Sequence, residues 1–252
     1  MISIVIIGAG NLGTHLCRAI SKAENLELKQ WYNRSLIPKQ SGLENIPICN
    51  ELVALKKADL YIVAVSDLAI ETISDSLSFE NRLVVHTSGS LGLRFLNKKN
   101  RRGVFYPLQT FSKTSKLCFT NVPICVESVN KKDRLLLKSV AESLGSSVYY
   151  IQSEQRQALH LTAVFVNNFT NQLYRIAHEL TDRESLDFEI LKPLIMETAN
   201  KVQTLSPYMA QTGPARRRDK KTIKQHIKLL EIDPSYQAIY KMLTKSIQKT
   251  HG

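Results

Sequence analysis

Hydrophobic positions along residues 1–150 fall into short dense runs separated by amphipathic stretches. The runs are Ile2–Ile7, Leu28–Asn33, Leu60–Val65, Leu83–His86, Val104–Tyr106, Pro123–Val126 and Ser147–Ile151. They are rich in Val and Ile and too short for helices, so they predict strands. Leu60–Val65 is almost wholly apolar, as expected of a strand covered on both faces. The intervening segments Asn11–Lys22, Glu51–Lys57, Leu68–Leu77 and Lys131–Leu144 carry helical periodicity, and Gly145 is placed to stop the last one. Strand–helix–strand order of this kind predicts an α/β domain: a doubly wound parallel sheet with helices on both faces.

The pattern changes near residue 152. Ser153 is a candidate N-cap, and a helical pattern without Gly or Pro runs from there to about Leu180. Further helices are predicted over Asp187–Leu205, Lys221–Leu230 and Ser235–Gln248, broken at Pro207, Gly213-Pro214 and Pro234. The division expected is therefore an α/β domain over 1–151 and an all-helical domain over 152–252.

The chain has 252 residues, of which 43% are hydrophobic and 22% charged, an ordinary globular composition that excludes disordered and fibrous classes. Its net charge of +12 is diffuse, which fits anionic small molecules better than a dedicated nucleic-acid arm. The four cysteines, Cys17, Cys49, Cys118 and Cys125, form no C-x-x-C pair. Reduced thiols in a cytoplasmic protein without a zinc site are expected. The apolar opening Met1–Ile7 lacks a basic leader and reads as a strand, and no run approaches the length of a membrane span.

The opening strand runs into Gly8-Ala9-Gly10-Asn11-Leu12-Gly13, a G-x-G-x-x-G turn that opens a helix. In that context the first glycine allows the tight turn, the second admits a pyrophosphate, and the third lets helix and strand approach. The helix N-terminus then offers free N–H groups to the phosphates. NAD-binding proteins carry an acidic residue at the end of the second strand. This chain has Asn33-Arg34-Ser35 there. A guanidinium pairs with a 2′-phosphate that a carboxylate would repel, so the expected cofactor is NADP(H). Val65, Ser66 and Asp67, at the end of another strand, are candidates to line the cofactor, and Ser66 or Asp67 equally suits a helix N-cap.

Chemistry is sought along the same edge of the sheet. His86-Thr87-Ser88-Gly89-Ser90 ends a strand, with His86 reading as a core histidine and Ser88 as the group to touch substrate. Tyr106-Pro107-Leu108-Gln109-Thr110-Phe111 follows the next strand, and its Tyr106 and Gln109 are candidate substrate contacts. On an ideal long helix Asn167 and Asn171 lie within about 20° of His160, and Asn168 about 80° round. An imidazolium there can protonate the atom that gains charge as hydride arrives, and a carboxamide can orient substrate. The alternative is a polar seam between subunits. The run Arg216-Arg217-Arg218 is either a solvated linker or an anion clamp, with Arg216 as the candidate contact for an anionic substrate group.

Taken together, Gly8–Gly13, Asn33-Arg34-Ser35, Ala64-Val65-Ser66-Asp67, His86–Ser90, Tyr106–Phe111, His160 with Asn168, and Thr212-Gly213-Pro214-Ala215-Arg216 resemble a known group. It is the family of uncharacterised NADP oxidoreductases that join a Rossmann-like domain to a helical domain of unknown function. That family is distantly similar to pyrroline-5-carboxylate reductase, 6-phosphogluconate dehydrogenase and the deazaflavin-dependent NADP reductases. The resemblance implies a second domain like the C-terminal domain of 6-phosphogluconate dehydrogenase, a homodimer built on it, and a bound dinucleotide. In the wider superfamily a lysine, with an asparagine eight residues later, often serves catalysis; His160 and Asn168 stand at that spacing here. The expectation is an NADP(H)-dependent oxidoreductase acting on a small, anionic C=O or C=N substrate, with His160, Asn168 and Ser88 as catalytic residues. The alternative, motivated by the missing lysine, is an NADP(H)-binding sensor without turnover.

Overall fold

The structure, a computed structural model, describes residues 1–35, 42–112 and 117–252. The chain divides into two compact units, Met1–Asn168 and Phe169–Gly252. The units part inside the long helical segment that begins near residue 152.

In the first unit, the strands are β1 (Ile2–Ile7), β2 (Leu26–Tyr32), β3 (Ile48–Cys49), β4 (Leu60–Val63), β5 (Leu83–His86), β6 (Arg101–Pro107), β7 (Ile124–Ser128) and β8 (Val148–Tyr150). They form one sheet in the order β3-β2-β1-β4-β5-β6-β7-β8. The α-helices are α1 (Asn11–Ile20), α2 (Asp67–Ser76), α3 (Lys131–Ser143) and α4 (Ser153–Ala163). Alternation along β1 sends side chains to two buried faces. Ile4 and Ile6 pack with Leu16, Cys17 and Ile20 of α1 and Leu137 and Val140 of α3. Val5 and Ile7 pack with Tyr61, Val63 and Ile70 on the face covered by α2. The sheet is thus doubly wound, and its strands read as continuous apolar runs because both faces are covered.

Three expectations need correction. The sheet is parallel from β3 to β6, but β7 runs antiparallel to β6, pairing Tyr106 with Cys125 and Val104 with Glu127. Among the described residues, the connection between them carries only the 3₁₀ turn Phe119–Asn121, and no helix returns the chain for a parallel strand. The helix expected over Glu51–Lys57 is a single 3₁₀ turn, Leu52–Ala54. The buried side chain of Gln30 donates to Ala54 O (3.2 Å) and accepts Lys56 N–H (2.7 Å), taking backbone groups that a helix would have paired. Ser153 is not the N-cap of α4. Gln152 is, in a capping box with Gln155, while the Ser153 hydroxyl donates to the Glu127 carboxylate (2.9 Å).

The long helix is not a uniform α-helix either. α4 passes into a π-helical stretch, Val164–Phe169, before helical geometry resumes in α5 (Thr170–Arg183). The second unit continues with α6 (Lys192–Thr204), α7 (Pro207–Ala210), α8 (Lys220–Leu229) and α9 (Pro234–Thr250). Prolines open α7 and α9, where their missing N–H costs nothing. Asp219 caps α8 by accepting Thr222 N–H (3.1 Å). Tyr236 of α9 donates to Glu179 of α5, and Arg183 pairs with Asp233. Only Ile176 and Ala215 of this unit are buried. Among the described residues, no helix is long and apolar enough to cross a membrane.

Candidate functional site

The glycine turn joins β1 to α1. Gly8 has φ +118°, and a Cβ there would lie 2.2 Å from Ala64 O. Both the conformation and the approach of β4 therefore require glycine. A Cβ on Gly13 would lie 2.3 Å from Gly8 O, so the third glycine lets α1 start directly against the turn. A Cβ on Gly10 would meet nothing within 4 Å, because that face opens onto a cleft. The turn is held from behind: Trp31 Nε1 donates to Gly8 O (2.9 Å) and Gly8 N–H donates to Tyr32 O (2.8 Å). No side chain caps α1, and its first turn holds no acidic residue. Its N-terminal amides are thus left to an anion.

The cleft measures about 330 Å³ and is lined by Gly8, Gly10, Asn11, Leu12, Asn33, Val65 and Ser66, together with Ala9, Ala64 and Thr87. The last three stood inside the motifs read from the sequence, Gly8–Gly13, Ala64–Asp67 and His86–Ser90, but were not singled out as site residues. The cleft lies at the carboxyl ends of β1, β4 and β5, where ligands of doubly wound sheets sit. Asn33 Oδ1 accepts Ala9 N–H (3.3 Å) and Asn33 Nδ2 donates to Ser35 O (2.9 Å), which ties the end of β2 to the glycine turn. Arg34 and Ser35 are exposed, and among the described residues Arg34 has no ion-pair partner.

Ser66 holds the N-cap position of α2 without a side-chain cap bond, and Asp67 begins the helix. Asp67 accepts the hydroxyl of Ser88 (2.9 Å). That hydroxyl also accepts the N–H groups of Ser90 and Leu91, each at 3.0 Å. Ser88 is buried, and its hydroxyl is fully engaged in shaping the loop after β5. His86 is a core histidine: Nδ1 accepts Ser88 N–H (3.1 Å), and Nε2 has no partner among the described residues. Burial, aided by the charge of Arg156, pushes its pKa down to about 4, so the ring is neutral at physiological pH.

A second cleft, of about 610 Å³, lies beside α4 and the loop after β6. It brings together Tyr106, Gln109, His160 and Asn168 with Asn167 and Thr162. The Tyr106 hydroxyl and His160 Nδ1 are 3.1 Å apart. Burial raises the Tyr106 pKa, so the phenol stays protonated. Gly89 lies under the pair: a Cβ there would fall 2.7 Å from His160 Nδ1 and 2.9 Å from Tyr106 Cζ. The π-helical stretch alters the geometry assumed for an ideal helix. A π turn holds more residues than an α turn, so both Asn167 and Asn168 reach the cleft.

Two residues that support this arrangement were not legible in the sequence. Arg156 is fully buried and pairs with Glu127 of β7. Its Nε donates to Ser88 O (3.2 Å) and a terminal nitrogen donates to Leu91 O. It therefore fixes the loop after β5 one helical turn from His160. The two clefts also share a tie, since Asn11 Nδ2 donates to Phe111 O (2.8 Å). Arg216 belongs to the second unit, where its exposed guanidinium donates to Gln211 O.

Comparison with known proteins agrees with this fold. A Rossmann-like domain model matches residues 1–111, and a model described as a domain of unknown function, DUF2520, matches residues 122–247. A putative NADP oxidoreductase of Bacteroides fragilis is 38% identical, with 98% of each chain covered and a TM-score of 0.86. The 1-pyrroline-5-carboxylate reductase of Streptococcus pyogenes shares the fold at 15% identity, covering 99% of this chain and 98% of its own, with a TM-score of 0.64. So does a Plasmodium falciparum pyrroline carboxylate reductase with NADP bound, at 12% identity, 100% and 98% coverage and a TM-score of 0.61. No match is found among curated proteins. With both domain models in sequence and a near full-length relative, the chain belongs to the family that couples a Rossmann-like domain to DUF2520.

Proposed function

We propose that the protein is an NADP(H)-dependent oxidoreductase that moves hydride between the nicotinamide and a small C=O or C=N substrate. The observation that carries this is the cleft over Gly10, walled by the uncapped start of α1 and by Asn33. The residues fit the dinucleotide. Gly8–Gly13 would hold the pyrophosphate, Asn33, Arg34 and Ser35 the 2′-phosphate end, and Val65, Ser66 and Asp67 the rim of the site. The family relative named an NADP oxidoreductase and the NADP-bound reductase support the same cofactor. When bound, NADPH supplies the hydride. In the adjoining cleft His160, with Tyr106 bonded to Nδ1, delivers a proton to the reduced atom, and Asn168 orients the substrate. Ser88 contributes by shaping the loop beneath them.

Measured dissociation constants for NADPH and NADH test the cofactor assignment. NADPH should bind more tightly, and Arg34→Glu should remove that preference. Equal affinities in the unaltered protein would refute it. His160→Ala should lower turnover about 10²–10⁴-fold while leaving NADPH affinity unchanged. A sensor without turnover is the second reading, favoured by the histidine at the position of the superfamily lysine. Tight NADPH binding with no oxidation across a broad carbonyl and imine panel would select it.

The protein is also proposed to act as a homodimer through its helical unit. Leu194, Met196, Tyr208 and Met242 are each more than half exposed there. Large apolar side chains left open on several helices of one unit suit a surface that a second copy would cover.

A further inference from the structure

We propose that the cleft beside His160 takes an uncharged carbonyl or imine compound with an apolar body, and discriminates against substrates bearing a carboxylate or phosphate. This deepens the oxidoreductase reading above and rests on it. The volume, about 610 Å³, is that of a small-molecule site. Leu108, Phe111, Leu159, Val164 and Val166 give it an apolar wall. The polar groups are neutral: the carboxamides of Gln109, Asn167 and Asn168 and the hydroxyls of Thr110 and Thr162. Among the described residues the lining holds no Lys, Arg, Asp or Glu. Its ionisable groups, Tyr106 and His160, are bonded to each other.

The nearby cation on α4 is Arg156, and it is not available to a ligand. It is fully buried, its charge is matched by Glu127, and its donors are spent on Glu127, Ser88 O and Leu91 O. An anionic group entering the cleft would shed water beside apolar side chains and, apart from the proton that His160 hands to the reduced atom, would meet no lysine or arginine among the described lining residues. A carbonyl oxygen or imine nitrogen loses far less hydration. One bond from the His160–Tyr106 pair and one from a carboxamide satisfy it. The expectation of an anionic substrate rested on Arg216 and on the net charge of +12; the lining of this cleft favours the opposite.

The test uses compounds that differ only in a carboxylate. Benzaldehyde is compared with 4-carboxybenzaldehyde in NADPH oxidation, and the non-reducible benzamide with 4-carboxybenzamide by calorimetry, with and without saturating NADP⁺. The uncharged member of each pair should be favoured about tenfold or more. Gln109 is on an exposed loop, so Gln109→Arg should fold normally and shift the preference about tenfold toward the carboxylate. The proposal is overturned if the carboxylated member binds as well or better, if neither amide binds, or if Gln109→Arg leaves the ratio unchanged. Direct NADPH titration distinguishes failure of the cofactor reading, because the amide preference is still measured without nucleotide.

Discussion

The two units of this chain spend their apolar residues differently. In the first, the side chains of β1, β4 and β5 are sealed between helical layers, and even a guanidinium and an imidazole are fully enclosed. In the second, five helices over Phe169–Gly252 leave only Ile176 and Ala215 buried, while leucines and methionines face outward. A unit with a finished interior can hold a site rigidly, since each buried polar group needs its partner. A unit without one gains most from a covering partner. The contrast fits the proposal made above, in which the α/β unit supplies the site and the helical unit the self-association.

That contrast can be attacked directly. The largest effect is expected in the proposed assembly: Leu194→Glu with Met196→Glu should weaken self-association by about 10⁴-fold, by placing uncompensated charges in the surface that a second copy would cover. Light scattering would show half the mass with helical content retained. An unchanged mass would break the comparison. Next, Arg156→Ala should destabilise the protein by about 3–5 kcal/mol, because the largely shielded Glu127 carboxylate would lose its counter-charge and Ser88 O and Leu91 O would lose their donor. Denaturant titration measures it. Acid supplies the third test. The pKa of His86 is lowered from 6.5 to about 4, so between these values the unfolded chain binds a proton that the folded chain refuses. Stability should fall as pH drops through that window, by about 3 kcal/mol in total, and His86→Gln should flatten the slope. Gly89→Ala should cost about 1–3 kcal/mol, because its methyl overlaps His160 and Tyr106, and it should reduce turnover without altering NADPH affinity. The smallest effect belongs to the outer unit. Lys201→Ala removes an exposed pair with Glu197 and should change stability by less than about 0.5 kcal/mol.

What the sequence revealed depended on how local the cause was. The glycine turn was legible because strand, turn and helix follow one another within Ile2–Ile20, and the first and third glycines answer contacts in that neighbourhood or just past the end of the adjacent β4. β3 escaped because two residues, Ile48 and Cys49, carry no periodicity. The absent helix at Glu51–Lys57 was decided by Gln30, a side chain more than twenty positions away. Arg156 and Glu127 lie 29 residues apart, and an arginine in the first turn of a helix reads as solvated until its partner is seen. The reversal of β7 likewise follows from a connection without a crossover helix, which the alternating pattern concealed. At the cleft beside His160, helical spacing already put Asn167 on the face of His160 and the family resemblance pointed to Asn168, but that both border one cleft follows from the π-helical stretch, which no propensity announces.

That stretch makes the site sensitive to the number of residues as well as to their identity. Removing Phe165, which does not line the cleft, would let the helix relax to its ordinary pitch, keeping the Asn168 carboxamide on the side of the imidazole and turning that of Asn167 about 120° away. A protein engineer could therefore retune this pocket by deletion, without changing any side chain that touches the ligand.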